Sequence, residues 1–151
     1  SFVYSSPRIK KVLTTAGEIL EIYAYYDVLK TGYFDDVASG YEFCWESGGV
    51  KNELDLVLTK GFHSIIVECK AVVELKLDFY HKLHSIADQF GIGTTKVRLG
   101  NTYAKKNDVT QDNNTMQRSR GEQLHIRTIS EEAEIRSIGE TLKKIMEEKV
   151  F

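Results

Sequence analysis

Hydrophobic positions along this chain recur with two periods, and the period changes from one segment to the next. Residues 14–30 carry leucine, isoleucine, valine and tyrosine at helical spacing, which predicts a first helix. Residues 41–46 predict a first strand, and residues 54–59 alternate apolar and polar side chains as a half-buried strand does. Lys60-Gly61 then predicts a turn, so that residues 62–71 return as the antiparallel partner in a hairpin.

The second half of the chain alternates helical and strand patterns. A helix over 74–90 stops at Gly91, in the manner of a helix C-cap, and a closing helix over 131–149 has Ser130 as its N-cap. The elements between them are a strand at 95–99, a polar loop at 101–114, a helix at 115–123 and a strand at 124–129. This order predicts an α/β protein with a central mixed sheet in a three-layer α/β/α arrangement.

Composition supports one soluble domain. At 151 residues and 42% hydrophobic content the chain can bury a single core, so we expect one domain over 1–151. The net charge of −2 argues against a strongly basic nucleic-acid binder, yet it allows a basic rim around an acidic centre. No apolar run has transmembrane length and no signal segment is visible, so we expect a cytoplasmic protein that makes no membrane contact.

The two cysteines, Cys44 and Cys69, both lie in apolar, strand-like runs. This setting is typical of reduced core residues and not of a disulfide or a metal-binding pair. It agrees with the expected cytoplasmic location.

Charged residues interrupt the apolar hairpin at three positions. Asp55 lies on its first strand, and Glu68 and Lys70 lie two residues apart on the second. The latter two side chains share one face, while Val67 and Cys69 face the opposite layer. Strand pairing brings Asp55 beside Glu68, where two carboxylates repel unless a cation lies between them. Oxygen ligands suit Mg²⁺ or Mn²⁺, and a nearby lysine can orient water or neutralise charge on a phosphate, which indicates metal-dependent phosphodiester hydrolysis.

Asp55 followed by Glu68-Cys69-Lys70 resembles the PD-(D/E)xK signature of restriction-endonuclease-like nucleases, without the proline of its name. In that superfamily the first helix often supplies another acid to the metal site. Residues 17–21 are similar to the first-helix motif of one branch, in which the glutamate after an apolar pair is the ligand. The resemblance therefore assigns that role to Glu21.

That branch is the nuclease domain of CRISPR-associated ancillary effectors, which join a cyclic-oligoadenylate sensor to a restriction-endonuclease-like domain. Four stretches resemble it in order, and a fifth fits less tightly. They are residues 17–21, 52–55, 67–70 and 79–83, and then Arg118-Ser119-Arg120 ahead of the strand at 124–129. The resemblance covers most of the chain and implies the C-terminal part of a longer protein, with the sensor outside this sequence.

The resemblance also implies the reaction and its partners. The expected activity is a metal-dependent endonuclease that acts on DNA, with RNA as a further candidate substrate, in a homodimer. Glu21, Asp55 and Glu68, with the backbone carbonyl of Cys69, are expected to hold Mg²⁺ or Mn²⁺, while Lys70 positions the attacking water. A cyclic oligoadenylate would act only through the sensor.

Several other residues fit a functional and an ordinary role. Phosphate contacts are a weaker assignment for a set of cations that solvated surfaces explain as well: Lys82, Lys105, Lys106, Arg118 and Arg120. His81 and His84 lie three apart as zinc ligands do, but no cysteine or acid completes such a site, which favours surface or structural histidines. Tyr23, Tyr25 and Tyr26 could stack on bases, although aromatic residues at this spacing more often pack in a core or a dimer seam, and core packing is the better interpretation.

The catalytic reading has two rivals. Taken alone, Glu68 and Lys70 also fit a solvent-exposed ion pair on one strand face. Asp55, Glu21 and the matching order of elements favour the nuclease. The rival function is a catalytically inactive nuclease fold that binds nucleic acid or dimerises, and cleavage that requires metal distinguishes the two.

Overall fold

The computed structural model describes residues 6–8, 16–44, 51–70, 77–91, 93–100, 116 and 119–149. Its helices are α1 (Ala16–Thr31), α2 (Leu77–Phe90), α3 (Glu132–Arg136) and α4 (Ile138–Glu147). Its strands are β1 (Asp36–Cys44), β2 (Lys51–Lys60), β3 (His63–Cys69), β4 (Thr94–Leu99) and β5 (Ile126–Ile129). Residues 119–123 are also helical.

The strands form one mixed sheet in the order β1-β2-β3-β4-β5. Gly61 takes a φ of 58° in the tight turn between β2 and β3, so these two strands pair antiparallel as the hairpin pattern predicts. The β3–β4 and β4–β5 pairs are parallel. A parallel pair needs a crossover connection, and α2 lies in the connection between β3 and β4.

Helices cover both faces of the sheet. Ala24 and Val28 of α1 and Leu142 of α4 pack with Val67 and Val97 on one face. Tyr80, Leu83 and Ala87 of α2 pack with Ile66 and Ile126 on the other. The three-layer α/β/α arrangement predicted from the sequence is therefore confirmed, and the sheet is its central layer.

The first strand begins earlier than its pattern predicts. The predicted start was Tyr41, but the ladder with β2 already pairs Asp36 with Thr59, and the Asp35 N–H donates to the Thr59 carbonyl at 2.9 Å. The sequence around Gly40 resembles a turn, but the strand continues through it. Gly40 takes a φ of 59°, which glycine adopts without strain, and Ser39 and Tyr41 on either side both pair with β2. Residues 45 and 46 lie outside the described residues.

The closing helix is two helices, so the prediction of one helix over 131–149 is wrong. Ser137 separates α3 from α4 with a non-helical φ of −119° and ψ of 44°. The Gly139 N–H donates to Asp27 Oδ2 at 2.9 Å, and any side chain at 139 would clash with the Asp27 carbonyl. The break thus lets α4 approach α1 closely. The predicted N-cap is also wrong, since Glu131 and not Ser130 occupies the cap position of α3.

The last strand starts later than predicted, at Ile126 instead of residue 124. The Leu124 N–H donates to carbonyls of the preceding helical turn, and His125 has a φ of 58°. Leu124 and His125 therefore belong to the turn that ends the preceding helix and not to the strand.

The cysteines and tyrosines divide between core and surface. Cys69 is buried and free, as predicted, whereas Cys44 is exposed because it lies on the edge strand β1. Tyr25 is partly buried against the core, but Tyr23 and Tyr26 are exposed, so core packing is wrong for these two. They form part of an outward apolar face of α1, which comprises Ile19, Ile22, Tyr23, Tyr26 and Leu29. None of the described helices combines the length and the apolar character needed to span a membrane.

Candidate active site

The predicted acids lie where β2 and β3 part. Leu56 pairs with Val67 as the last rung of their ladder, and Asp55 comes just beyond it. The Cys69 N–H, at the end of β3, donates a hydrogen bond to Asp55 Oδ2 at 2.6 Å. This bond ties the Asp55 carboxylate to the backbone of the Glu68-Cys69-Lys70 triplet.

Glu68 faces the α2 side of the sheet. Along β3, Val67 and Cys69 belong to the core under α1 and α4, and Ile66 to the core under α2, which confirms the alternation predicted from the sequence. Burial, followed by the negative charge of Asp55, raises the pKa of Glu68 to about 8, against the opposing charges of Lys82 and Lys70. Its Oε1 is buried and has no hydrogen-bond partner within the described part of the chain.

Asp55 is the acid that links the others. Burial raises the pKa of Asp55, the hydrogen bond from Cys69 opposes that rise, and the charge of Glu53 adds to it. The positive charges of Lys82 and Lys70 lower the pKa of Asp55. Asp55 therefore lies in an acidic pocket that these two ammonium groups only partly neutralise.

Glu21 reaches the same region from α1. Burial, followed by the charges of Asp55, Glu53 and Glu18 in that order, raises the pKa of Glu21 to about 7. The helix acid chosen from the resemblance thus lies within the electrostatic range of Asp55. The thiol pKa of Cys69 is raised by burial and by Asp55, Glu21 and Glu68, which keeps the sulfur protonated. The Cys69 carbonyl, and not the thiol, is therefore the candidate ligand.

Lys70 directly follows β3 and is exposed. Its backbone is held by β4, because its N–H donates to the Leu99 carbonyl at 2.8 Å and its carbonyl accepts from Arg98 Nη2 at 3.0 Å. The Lys70 ammonium acts on the pKa values of both Asp55 and Glu68. Arg98, which is fully buried, was not among the sequence-predicted residues. The sequence signal that could have indicated Arg98 is its position as a cation between Val97 and Leu99 in a short strand.

The structure brings together only part of the predicted set. Asp55 is coupled to Glu21 and to Glu68, but within the described ranges no three His, Cys, Asp or Glu side chains form a ready group of metal ligands. Lys82 is exposed on α2 and close enough to influence both Asp55 and Glu68. Arg120 is exposed in the helical turn before β5, while Lys105, Lys106 and Arg118 lie outside the described residues.

The two helix histidines are surface and structural residues, as the sequence predicts. His81 is exposed. His84 Nδ1 lies 2.8 Å from Lys96 Nζ, and His84 Nε2 lies 3.3 Å from a carboxylate oxygen of Asp88. Both ring nitrogens of His84 therefore have protein partners.

Comparisons with solved structures place this fold beside two larger proteins. Can2 from Sulfobacillus thermosulfidooxidans, in complex with cyclic tetra-adenylate, is similar with a TM-score of 0.69 and 16% identity over 93% of this chain and 39% of Can2. VC1899 from Vibrio cholerae is similar with a TM-score of 0.68 and 15% identity over 96% of this chain and 37% of VC1899. At these identities the likeness shows a shared fold, and this chain spans about two fifths of each protein's length.

A match to a family model shows the family as well as the fold. The model for the Card1-like endonuclease domain matches residues 9–149. That range contains α1, the hairpin with Asp55 and Glu68, and all of the later elements. Because the match covers nearly the whole sequence, the chain belongs to the Card1-like endonuclease domain family.

Proposed function

We propose that this chain is a metal-dependent endonuclease that hydrolyses phosphodiester bonds in DNA, with RNA as a second substrate. The observation that carries the proposal is the pair of partly buried carboxyls, Asp55 and Glu68, beside the exposed ammonium of Lys70. Acids gathered in this way repel one another, which raises their pKa values, and a bound divalent cation reverses that effect. Membership of an endonuclease domain family supports the same reaction.

The donor set fits Mg²⁺ or Mn²⁺. Glu68 Oε1 is buried without a hydrogen-bond partner among the described residues, and Asp55 uses only Oδ2 to accept from Cys69. One oxygen of each carboxyl therefore remains for an ion. Mg²⁺ commonly binds through one or two protein carboxylates together with waters and substrate phosphates, so a preformed three-ligand cage is not required. Glu21 and the Cys69 carbonyl are the further oxygen donors that we propose.

In this proposal each residue has one task at the phosphate. The cation, when bound, supplies Lewis-acid activation of the phosphodiester and of a water. Asp55 and Glu68 would hold the cation, and the Cys69 N–H orients the Asp55 carboxylate for that task. Lys70 orients the attacking water and offsets the negative charge that grows on the phosphate. Lys82, which already influences both acids from α2, contacts a neighbouring phosphate.

The biological setting follows from the family and is also a proposal. Can2 is described in complex with cyclic tetra-adenylate, and this chain spans 39% of that protein. We propose that this domain acts in CRISPR-linked antiviral defence and that a cyclic oligoadenylate acts through a sensor outside this sequence. The homodimer expected from the resemblance would find an apolar surface in the outward face of α1.

The test is cleavage by purified protein of end-labelled single- and double-stranded DNA and RNA, with Mn²⁺, Mg²⁺ or EDTA. We expect cleavage only with metal, and a loss of at least about 100-fold in Asp55→Asn and Lys70→Met at unchanged folding. Lys144→Met removes an exposed cation from α4 and serves as the matched control for Lys70→Met. Tight binding of nucleic acid without cleavage in either metal would instead select the inactive binding module.

A further inference from the structure

Arg98 is a fully buried cation beside the proposed metal site. It lies on β4, directly in register with Glu68 of β3 on one side and Thr128 of β5 on the other. Its exposed fraction is 0%, although removing a guanidinium from water is expensive. Apolar residues of similar volume generally fill such interior positions at lower free energy. A charge in this position therefore calls for a specific partner.

One partner is the main chain of the proposed catalytic lysine. Arg98 Nη2 donates to the Lys70 carbonyl at 3.0 Å, and the Lys70 N–H donates to the next β4 residue, at the Leu99 carbonyl, at 2.8 Å. Gly100 allows the two segments to approach this closely, because a Cβ at that position would lie 2.5 Å from the Lys70 carbonyl oxygen and clash with it. Arg98 and Leu99 of β4 thus hold both polar groups of the Lys70 backbone, and Gly100, which follows β4, allows the close approach.

This contact matters because the Lys70 side chain is exposed. A long, solvated lysine side chain has many rotamers, so its backbone is the part of the residue that the protein fixes. Lys70 also lies one residue beyond the end of β3, outside the sheet ladder. A displacement of about 1 Å in a positioning group lowers a rate by up to about 100-fold.

We infer that Arg98 is a positioning residue, which holds the Lys70 main chain so that the lysine ammonium is directed toward Asp55 and Glu68. This inference rests on the proposed function for the role of Lys70. It assigns to Arg98 no contact with substrate or metal. Its effect is expected on the chemical step and not on the binding of nucleic acid.

Lys96 provides a matched control. It lies two residues earlier on β4, so its side chain shares the face of Arg98, and it is also buried, with 7% exposure. Its ammonium contacts His84 on α2 at 2.8 Å. Lys96→Met therefore removes a buried cation from the same strand and face without removing a bond to Lys70.

The kinetic test compares Arg98→Met, Arg98→Lys and Lys96→Met under saturating Mn²⁺. We expect kcat to fall between about 10- and 100-fold in Arg98→Met, with KM and the Kd for uncleaved nucleic acid in Ca²⁺ within about twofold of wild type. Arg98→Lys keeps a cationic donor and should recover part of kcat. Lys96→Met should stay within about threefold of wild type. Equal losses in Arg98→Met and Lys96→Met, or a wild-type kcat in Arg98→Met, would overturn the inference.

Hydrogen–deuterium exchange supplies a second readout that does not need activity. Peptides that contain Lys70 should exchange faster in Arg98→Met than in wild type, and should be unchanged in Lys96→Met. Unchanged exchange in Arg98→Met would overturn the positioning role even if cleavage were never seen. Absence of cleavage by the wild type would instead refute the proposed function, so the two failures are distinguishable. If Arg98→Met does not fold, Arg98→Lys carries both measurements, with smaller changes in the same direction.

Discussion

Replacing Glu68 with glutamine should stabilise the metal-free protein at alkaline pH while removing its response to metal. Glutamine has nearly the same shape and keeps an oxygen that can accept the backbone hydrogen bond from Asp55. It removes the one property that makes Glu68 unfavourable in the fold, the ability to ionise in a buried, acidic pocket. Stability and function are therefore expected to change in opposite directions at this position.

The magnitude follows from the pKa of Glu68, which burial and Asp55 raise from 4.5 to about 8 in the folded protein. Below pH 4.5 the carboxyl is protonated in both folded and unfolded chains and has no effect on stability. Between pH 4.5 and 8 only the unfolded chain releases the proton, so the free energy of unfolding falls by up to about 1.4 kcal/mol per pH unit. Between pH 6 and pH 8 we expect a loss of about 2 kcal/mol, which Glu68→Gln should restore.

The assay is urea denaturation in EDTA at pH 6 and pH 8, followed by circular dichroism. Wild type should lose more stability than Glu68→Gln over this interval, and the two should differ most at pH 8. Glu147→Gln, an exposed position on α4, is the control for loss of one negative charge. Addition of Mn²⁺ at pH 8 should stabilise wild type and not Glu68→Gln. Parallel pH profiles for wild type and Glu68→Gln would refute the electrostatic account of the site.

Three further predictions concern pH, packing and assembly. As the pH rises from 6 to 8, the Mn²⁺ concentration for half-maximal cleavage should fall by up to about tenfold per pH unit for each proton that the metal displaces. The reason is that Glu21 and Glu68 have pKa values of about 7 and 8, so a metal ion competes with their protons in this range. A flat profile contradicts proton displacement. Gly139→Ala should lower unfolding free energy by about 2 kcal/mol in urea titrations, because its Cβ meets the Asp27 carbonyl, and an unchanged midpoint contradicts the close approach. Tyr26→Lys should shift light-scattering mass toward monomer if the α1 face joins two copies, and an unchanged dimer places the seam elsewhere.

The hairpin and the acids could be predicted because their signals are local. A period-two pattern, a Gly turn and the spacing of Glu68 and Lys70 specify which side chains share a face, whatever surrounds them. The structure bears out the turn at Gly61 and the alternation along β3. The first helix could be placed from its apolar spacing, and Glu21 was chosen on it through the resemblance.

Features that depend on packing could not be predicted. Lys96 and Arg98 alternate with Val97 and Leu99, which is the pattern of a strand with one solvent face, yet α2 covers that face and both cations are buried. The raised pKa values likewise depend on burial that no residue pattern records. The break at Ser137 depends on contact between α4 and α1, so a continuous helical pattern over 131–149 gave no sign of it.

The Asp27–Gly139 contact gives α1 a mechanical role. Asp27 anchors the helix to the start of α4, and Glu21 lies six residues earlier, about 9 Å along the same axis. The position of Glu21 therefore depends on how α1 packs against α4, whereas the sheet and the Cys69 N–H fix Asp55. A substitution at the Asp27–Gly139 contact is thus expected to shift Glu21 relative to Asp55 without altering either acid.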